Sequence, residues 1–140
     1  MNDRILVDTS YWIALFDKRD KSHEKALANT EYLLWLDVLI VWPIVYETFR
    51  TRFVRHPEWV TRLEEILKQP NFVFMDDAPY RDDALWLTLE FATRDFRPVS
   101  MVDMLCRLVI SDSNINVKYL LTTNTADFVD VSLASNVEIL

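Results

Sequence analysis

Short apolar runs recur along the chain without the polar alternation of a half-exposed strand. Runs of this kind are typical of strands that are buried on both faces, and such strands lie mostly in parallel sheets. The pattern predicts strands over residues 5–7, 38–41, 72–75, 119–121 and 137–140. We therefore expect a parallel central sheet of about five strands.

Between these runs, apolar side chains recur every three or four residues, which is the spacing of amphipathic helices. The pattern predicts helices over 9–16 and 44–55, and others that open at Pro57, at Pro79 and near Ser100. A further helix is predicted behind a cap at Ser22, with its apolar stripe at Ala26, Leu27, Thr30, Leu33 and Leu34. Because strands and helices alternate, the fold class is α/β with right-handed crossovers.

The composition excludes several kinds of functional site. The chain has 140 residues and no glycine. Phosphate-binding loops and nucleophile elbows are therefore excluded, because both need glycine for their tight backbone turns. A single cysteine and two histidines exclude an internal disulfide and a Cys/His zinc cluster. Since no repeat or linker interrupts the pattern, we expect a single domain over residues 1–140.

Charge and hydropathy make two further points. The net charge of −7 argues against a protein that binds nucleic acid through bulk charge alone. The longest apolar run, residues 33–45, contains Asp37 and is shorter than the ~20 residues of a membrane span. With no signal-peptide pattern at the N-terminus, a soluble cytoplasmic protein without membrane contact is expected.

Four acidic residues occupy comparable places in this scheme. Asp8 directly follows the first strand, and Asp127 follows the fourth by a short turn. Glu47 lies in the helix after the second strand, and Asp103 lies early in the helix before the fourth. Because sites in open parallel sheets form beyond the carboxyl ends of the strands, we expect these acids to meet there.

Crowded carboxylates raise one another's pKa, and a divalent cation removes that conflict. Ligands that are all oxygen favour Mg²⁺ or Mn²⁺ over zinc or copper. Such an ion orients a phosphodiester and activates water, so the pattern indicates metal-assisted cleavage of phosphodiester bonds.

Each acid also has a purely structural interpretation. Asp8 and Asp127 are suited to capping or turn positions, and Ser100 with Asp103 has the spacing of a capping box. Glu47 lies opposite an apolar helix stripe, where a glutamate is usually solvated. Only the joint placement of the four acids predicts a site.

Four stretches carry a resemblance to a known family: LVDTS at 6–10 with WIAL at 12–15, PIVYE at 43–47, SMVD at 100–103 and LTTNTADF at 121–128. With these, the sequence resembles the PIN-domain nucleases, and among them the VapC-type toxins of toxin–antitoxin pairs. The stretches follow the family's order and span nearly the whole chain.

The resemblance implies a PIN-like α/β/α sandwich and a Mg²⁺- or Mn²⁺-dependent endoribonuclease that acts on RNA. It also implies a homodimer, and a small antitoxin whose segment covers the site. A different class of function stays open, namely a non-catalytic PIN-like domain that binds proteins and keeps a vestigial acidic pocket.

The resemblance also assigns roles to residues. It makes Asp8, Glu47, Asp103 and Asp127 the metal ligands and the catalytic acids, and Thr9, Ser100 and Asn124 their supporting polar groups. Relatives often have an aspartate where this chain has Asn124, and the glycines that are usual in the family's loops are missing here.

Two further features lie near the predicted acids. Arg50 stands three residues after Glu47, so it either pairs with that acid or contacts a substrate phosphate. Trp12, Trp42 and Tyr46 are able to stack on bases, but aromatic residues within apolar runs favour the core, and we place them there.

Overall fold

The structure, a computed structural model, describes residues 2–140, and within them five strands form one parallel sheet. The strands are β1 (Arg4–Val7), β2 (Asp37–Val41), β3 (Phe72–Met75), β4 (Val117–Leu121) and β5 (Glu138–Ile139). They pair in the order β3-β2-β1-β4-β5, with every neighbouring pair parallel. The predicted parallel sheet is confirmed.

Helices cover both faces of the sheet. They are α1 (Thr9–Phe16), α2 (His23–Ala28), α3 (Tyr32–Trp35), α4 (Trp42–Arg50), α5 (Pro57–Leu67), α6 (Arg81–Thr93), α7 (Met101–Ser111) and α8 (Val129–Ala134). The chain moves from β1 to β3 in one direction and returns to β4 and β5 in the other. Right-handed crossovers therefore place α1–α5 on one face and α6–α8 on the other, which makes an α/β/α sandwich.

The core lies around the three central strands. Ile5, Leu6 and Val7 of β1 are fully buried, and the largest buried side chains include Trp12 on the α1 side and Phe128 just before α8. In contrast, β3 is an edge strand whose Val73 and Phe74 are exposed. The expectation that every strand is buried on both faces is therefore wrong for β3, which within residues 2–140 has a neighbouring strand on one side only.

Two predicted helices differ from the structure. The helix predicted over 44–55 ends at Arg50, and a 3₁₀ turn (Arg52–Arg55) follows, because the Thr51 hydroxyl accepts a hydrogen bond from the Phe53 N–H and ends the α-helical ladder. The helix predicted behind Ser22 is divided into α2, a 3₁₀ turn (Asn29–Glu31) and α3. The Ser22 hydroxyl caps no backbone N–H of α2.

The stripe predicted along that divided helix is also only partly correct. Leu33 and Ala26 are buried, whereas Leu27 and Leu34 are exposed, so the side that faces the core is narrower than the predicted stripe. None of the helices in residues 2–140 combines the length and the apolar character that crossing a membrane requires.

Candidate active site

The candidate site lies at the carboxyl ends of β1 and β4. From β1 the chain leaves toward one face of the sheet, and it reaches β4 from the helices of the other face. Neighbouring strands with this arrangement form a topological switch point, where open α/β sheets have a crevice. Asp8 follows β1 directly at this point, and Thr122 follows β4.

Asp8 is buried and accepts three hydrogen bonds. Its Oδ1 accepts from the backbone N–H of Thr9 at 2.8 Å, and its Oδ2 accepts from the hydroxyls of Ser10 at 3.0 Å and Thr122 at 2.8 Å. Burial raises the pKa of Asp8, while these three bonds oppose the rise by favouring the carboxylate. The expected capping role is confirmed, since Asp8 is the N-cap of α1, and the same contacts position its carboxylate.

Glu47 reaches the same crevice from α4, which packs against α1. Its carboxyl group is half-buried, and its pKa is raised by burial and then by the charge of Asp8, against a hydrogen bond from Thr9. The interpretation of Glu47 as a merely solvated glutamate is therefore wrong. Thr9 is buried, and its hydroxyl is also 3.4 Å from that of Thr48.

Asp103 and Asp127 share one donor. The side-chain amide of Asn124 donates to Asp103 Oδ2 at 3.2 Å and to Asp127 Oδ2 at 2.8 Å. Burial, followed by the charges of Asp8, Glu47 and Asp127, raises the pKa of Asp103 to about 7. The structure therefore brings together all four acids that the sequence singled out.

The donor chemistry of this pocket fits a hard dication. Its acidic side chains offer oxygen atoms only, and a bound Mg²⁺ or Mn²⁺ would relieve the repulsion that raises the Asp103 pKa. The acidic side chains lie farther apart than the ligands of a bound metal ion do. Within residues 2–140, no three Asp, Glu, His or Cys side chains are close enough together to coordinate one ion. Asn124 instead joins two of the carboxylates by hydrogen bonds.

An arginine that the sequence reasoning missed fixes the turn carrying Asp127. Arg107 of α7 is buried, and it donates to the backbone carbonyl of Asp127 at 2.7 Å and to both carboxylate oxygens of Asp130 at 2.7 and 2.9 Å. Arg97 binds the same Asp130 carboxylate at 3.0 and 3.3 Å. The signal was an arginine within the otherwise apolar stretch 104–110, since a buried cation requires a partner.

The other predicted residues have mixed outcomes. Ser100 caps α7 by accepting from the Asp103 N–H at 3.1 Å, so the first half of the expected capping box is present. Arg50 is exposed, and no ion pair with Glu47 is found among residues 2–140. Trp12 is a core residue as expected, but placing Trp42 and Tyr46 in the core was wrong, since they are 42% and 72% exposed.

Comparison with known proteins bears on the fold. Solved structures that resemble this chain include VapC20 of Mycobacterium tuberculosis, a sarcin–ricin loop cleaving toxin. The two share 21% sequence identity with a TM-score of 0.66, over 93% of this chain and 94% of VapC20. The chain has a PIN-like fold. That fold confirms the architecture implied by the four sequence stretches.

The comparisons of sequence alone give no such likeness. No protein-family model and no curated protein sequence matches the chain significantly. Its PIN-like fold is thus recognised through the structure and the ordered stretches.

Proposed function

We propose that this protein is a divalent-metal-dependent endoribonuclease and the toxin of a type II toxin–antitoxin pair. The observation that carries the proposal is the convergence of four mutually repelling acids at the switch point of the sheet. The likeness to a toxin that cleaves an RNA loop supports RNA as the substrate class. A small antitoxin and a homodimer are expected with this function.

In this proposal Asp8, Glu47, Asp103 and Asp127 hold Mg²⁺ or Mn²⁺ and act as the catalytic acids. The bound ion would offset charge that develops on phosphodiester oxygens and lower the pKa of water. The chain's own polar groups then have positioning roles. Three donors keep the Asp8 carboxylate aimed into the crevice, and Asn124 orients two further carboxylates.

Two supporting roles complete the proposal. Thr9 links the Asp8 end of α1 to Glu47, and Ser100 fixes the first turn of the helix that carries Asp103. Arg50 is an exposed cation one turn beyond Glu47, where it contacts a phosphate of the bound RNA.

The experiment is to incubate the protein with total RNA in Mn²⁺ or in chelator and to map the cleaved ends. Cleavage is expected in Mn²⁺ only, and Asp8→Asn or Asp103→Asn should abolish both cleavage and Mn²⁺ binding measured by calorimetry. The matched control is Asp95→Asn, an exposed acid beyond the C-terminal end of α6. Full cleavage by both pocket variants would remove the proposed mechanism.

One observation favours a second candidate, a non-catalytic protein-binding domain with a vestigial pocket. The neutral side-chain amide of Asn124 donates hydrogen bonds to the carboxylates of Asp103 and Asp127. An aspartate at this position would add a fifth negative charge, so the pocket with Asn124 holds less charge. In that case the melting temperature would be the same with and without Mn²⁺, and every tested RNA would stay intact.

A further inference from the structure

Three exposed aromatic rings contact one another at the carboxyl ends of β2 and β3, and we call them the aromatic ladder: Trp42, Tyr46 and Phe74. The rings of Trp42 and Phe74 stack with centroids 5.2 Å apart and planes 28° apart, and Tyr46 lies 6.5 Å from Trp42. They are 42%, 72% and 38% exposed in the order Trp42, Tyr46, Phe74. Their outer faces therefore remain open to a ligand.

The strand order places the ladder next to the acids. Phe74 lies in β3, Trp42 directly follows β2, and Asp8 directly follows the adjacent strand β1. Neighbouring strands are about 4.8 Å apart, so the backbone at Trp42 lies about one strand spacing from that at Asp8, while the Trp42 ring stacks on Phe74 of the edge strand β3. Tyr46 also immediately precedes Glu47 in α4. An RNA strand whose phosphate lies at the acids would bring its neighbouring bases over these rings.

The exposed side of α4 combines ring faces with a cation. Trp42, Tyr46 and Arg50 follow one another at intervals of four residues, so they form one row on the helix, and all three are exposed. A row of aromatic rings with a cation at its end suits bases linked by phosphates better than it suits a purely apolar partner.

We propose that the aromatic ladder stacks an unpaired base next to the bond that is cut. This rests on the proposed ribonuclease function. The net charge of −7 gives RNA little attraction from bulk charge, whereas stacking on rings is independent of charge. The stacked base would favour single-stranded or looped RNA over a duplex, because paired bases do not expose their faces.

The test measures binding without cleavage. Fluorescein-labelled single-stranded RNA is titrated with the protein in chelator, and fluorescence anisotropy gives the Kd. Tyr46→Leu and Trp42→Leu keep apolar area but remove the ring, so each should weaken binding between about 5-fold and 150-fold. Tyr46→Phe should restore wild-type affinity, because stacking uses the ring and not the hydroxyl.

Matched controls separate stacking from general damage. Trp86→Leu removes a 66% exposed tryptophan on α6, on the opposite face of the sheet, and should not change the Kd. Far-ultraviolet circular dichroism and melting temperatures verify that each variant is folded. Arg50→Ala should reduce the slope of log K against log salt by about 0.7, while Tyr46→Leu should leave that slope unchanged.

The outcomes distinguish this inference from the proposed function. If Tyr46→Leu and Trp42→Leu bind RNA as the wild type does, or if the wild type binds no single-stranded RNA, base stacking is overturned, and the ladder is instead a surface for a protein partner. If both variants lose affinity but the wild type cuts no RNA in Mn²⁺, base stacking stands and the ribonuclease function fails.

Discussion

From the Arg107–Asp130 ion pair we predict that removing the acid and removing the arginine lower the free energy of unfolding by different amounts. The Arg107 side chain is 10% exposed, whereas that of Asp130 is 47% exposed. Asp130 also has a second cation in Arg97, while Arg107 has no other carboxylate within 4 Å among residues 2–140. Removing the acid therefore leaves a buried charge, and removing the arginine does not.

The structure supports rough magnitudes for the two losses. Breaking a buried ion pair costs about 3–5 kcal/mol when the remaining charge is uncompensated. Asp130→Asn should cost less than this, about 2–3 kcal/mol, because the amide oxygen and the Asp127 carbonyl still accept from Arg107. Arg107→Met should cost about 1–2 kcal/mol, since Asp130 keeps Arg97 and water, and methionine retains apolar contact with Phe91.

The assay is urea unfolding at pH 7, monitored by circular dichroism. The free energies of unfolding of the two variants are compared if their m-values are equal. Arg97→Met is the control, because its side chain is 35% exposed and its loss should cost less than about 1 kcal/mol. A larger destabilisation by Arg107→Met than by Asp130→Asn would refute the reasoning. That result would mean that packing and the Asp127 contact, rather than the unpaired charge, dominate.

Other predictions concern the pocket itself. Because the pKa of Asp103 is raised to about 7, the metal-free protein should lose on the order of 1–2 kcal/mol of stability, after solvent screening, as pH rises from about 4 to 7. Thermal melts across this pH range should show the loss. In Asp103→Asn the melting temperature should depend less on pH. Thr122→Val removes a donor to Asp8 and should destabilise at pH 7 by about 1–3 kcal/mol in urea titrations, whereas Thr122→Ser should not. Asn124→Asp should tighten Mn²⁺ binding in calorimetry and lower the metal-free melting temperature at pH 8.

The sequence predicted the strands and the acids because both signals are local. Buried strands appear as short apolar runs, and an acid that follows such a run lies at the carboxyl edge wherever the sheet is parallel. Asp8 and Asp127 needed only this rule. Asp103 follows no strand, and its prediction depended instead on the serine three residues earlier, which marks the start of its helix.

The aromatic side chains were misplaced because burial depends on tertiary neighbours. Trp42 and Tyr46 lie in an apolar stretch that resembles core sequence, yet they face the edge formed by β3, where the sheet ends. Thr51 was missed for a different reason, since its hydroxyl contacts both Thr48 O and the Phe53 N–H and ends α4 within an unbroken apolar pattern.

The arginine and lysine side chains of the described residues leave the negative charge of the acidic pocket unpaired. Within the described residues, the recorded ion pairs involve Asp17, Asp77, Asp130 and three exposed glutamates, and none of the four pocket acids. Arg107 lies one helical turn after Asp103, yet its guanidinium donates its hydrogen bonds to the backbone carbonyl of Asp127 and to the carboxylate of Asp130. The pocket acids receive hydrogen bonds from hydroxyl and amide groups instead, which hold their positions without neutralising their charge. The negative potential thus remains available to a cation from solution, and a lysine or arginine introduced at Asn124 should compete with Mn²⁺ for it.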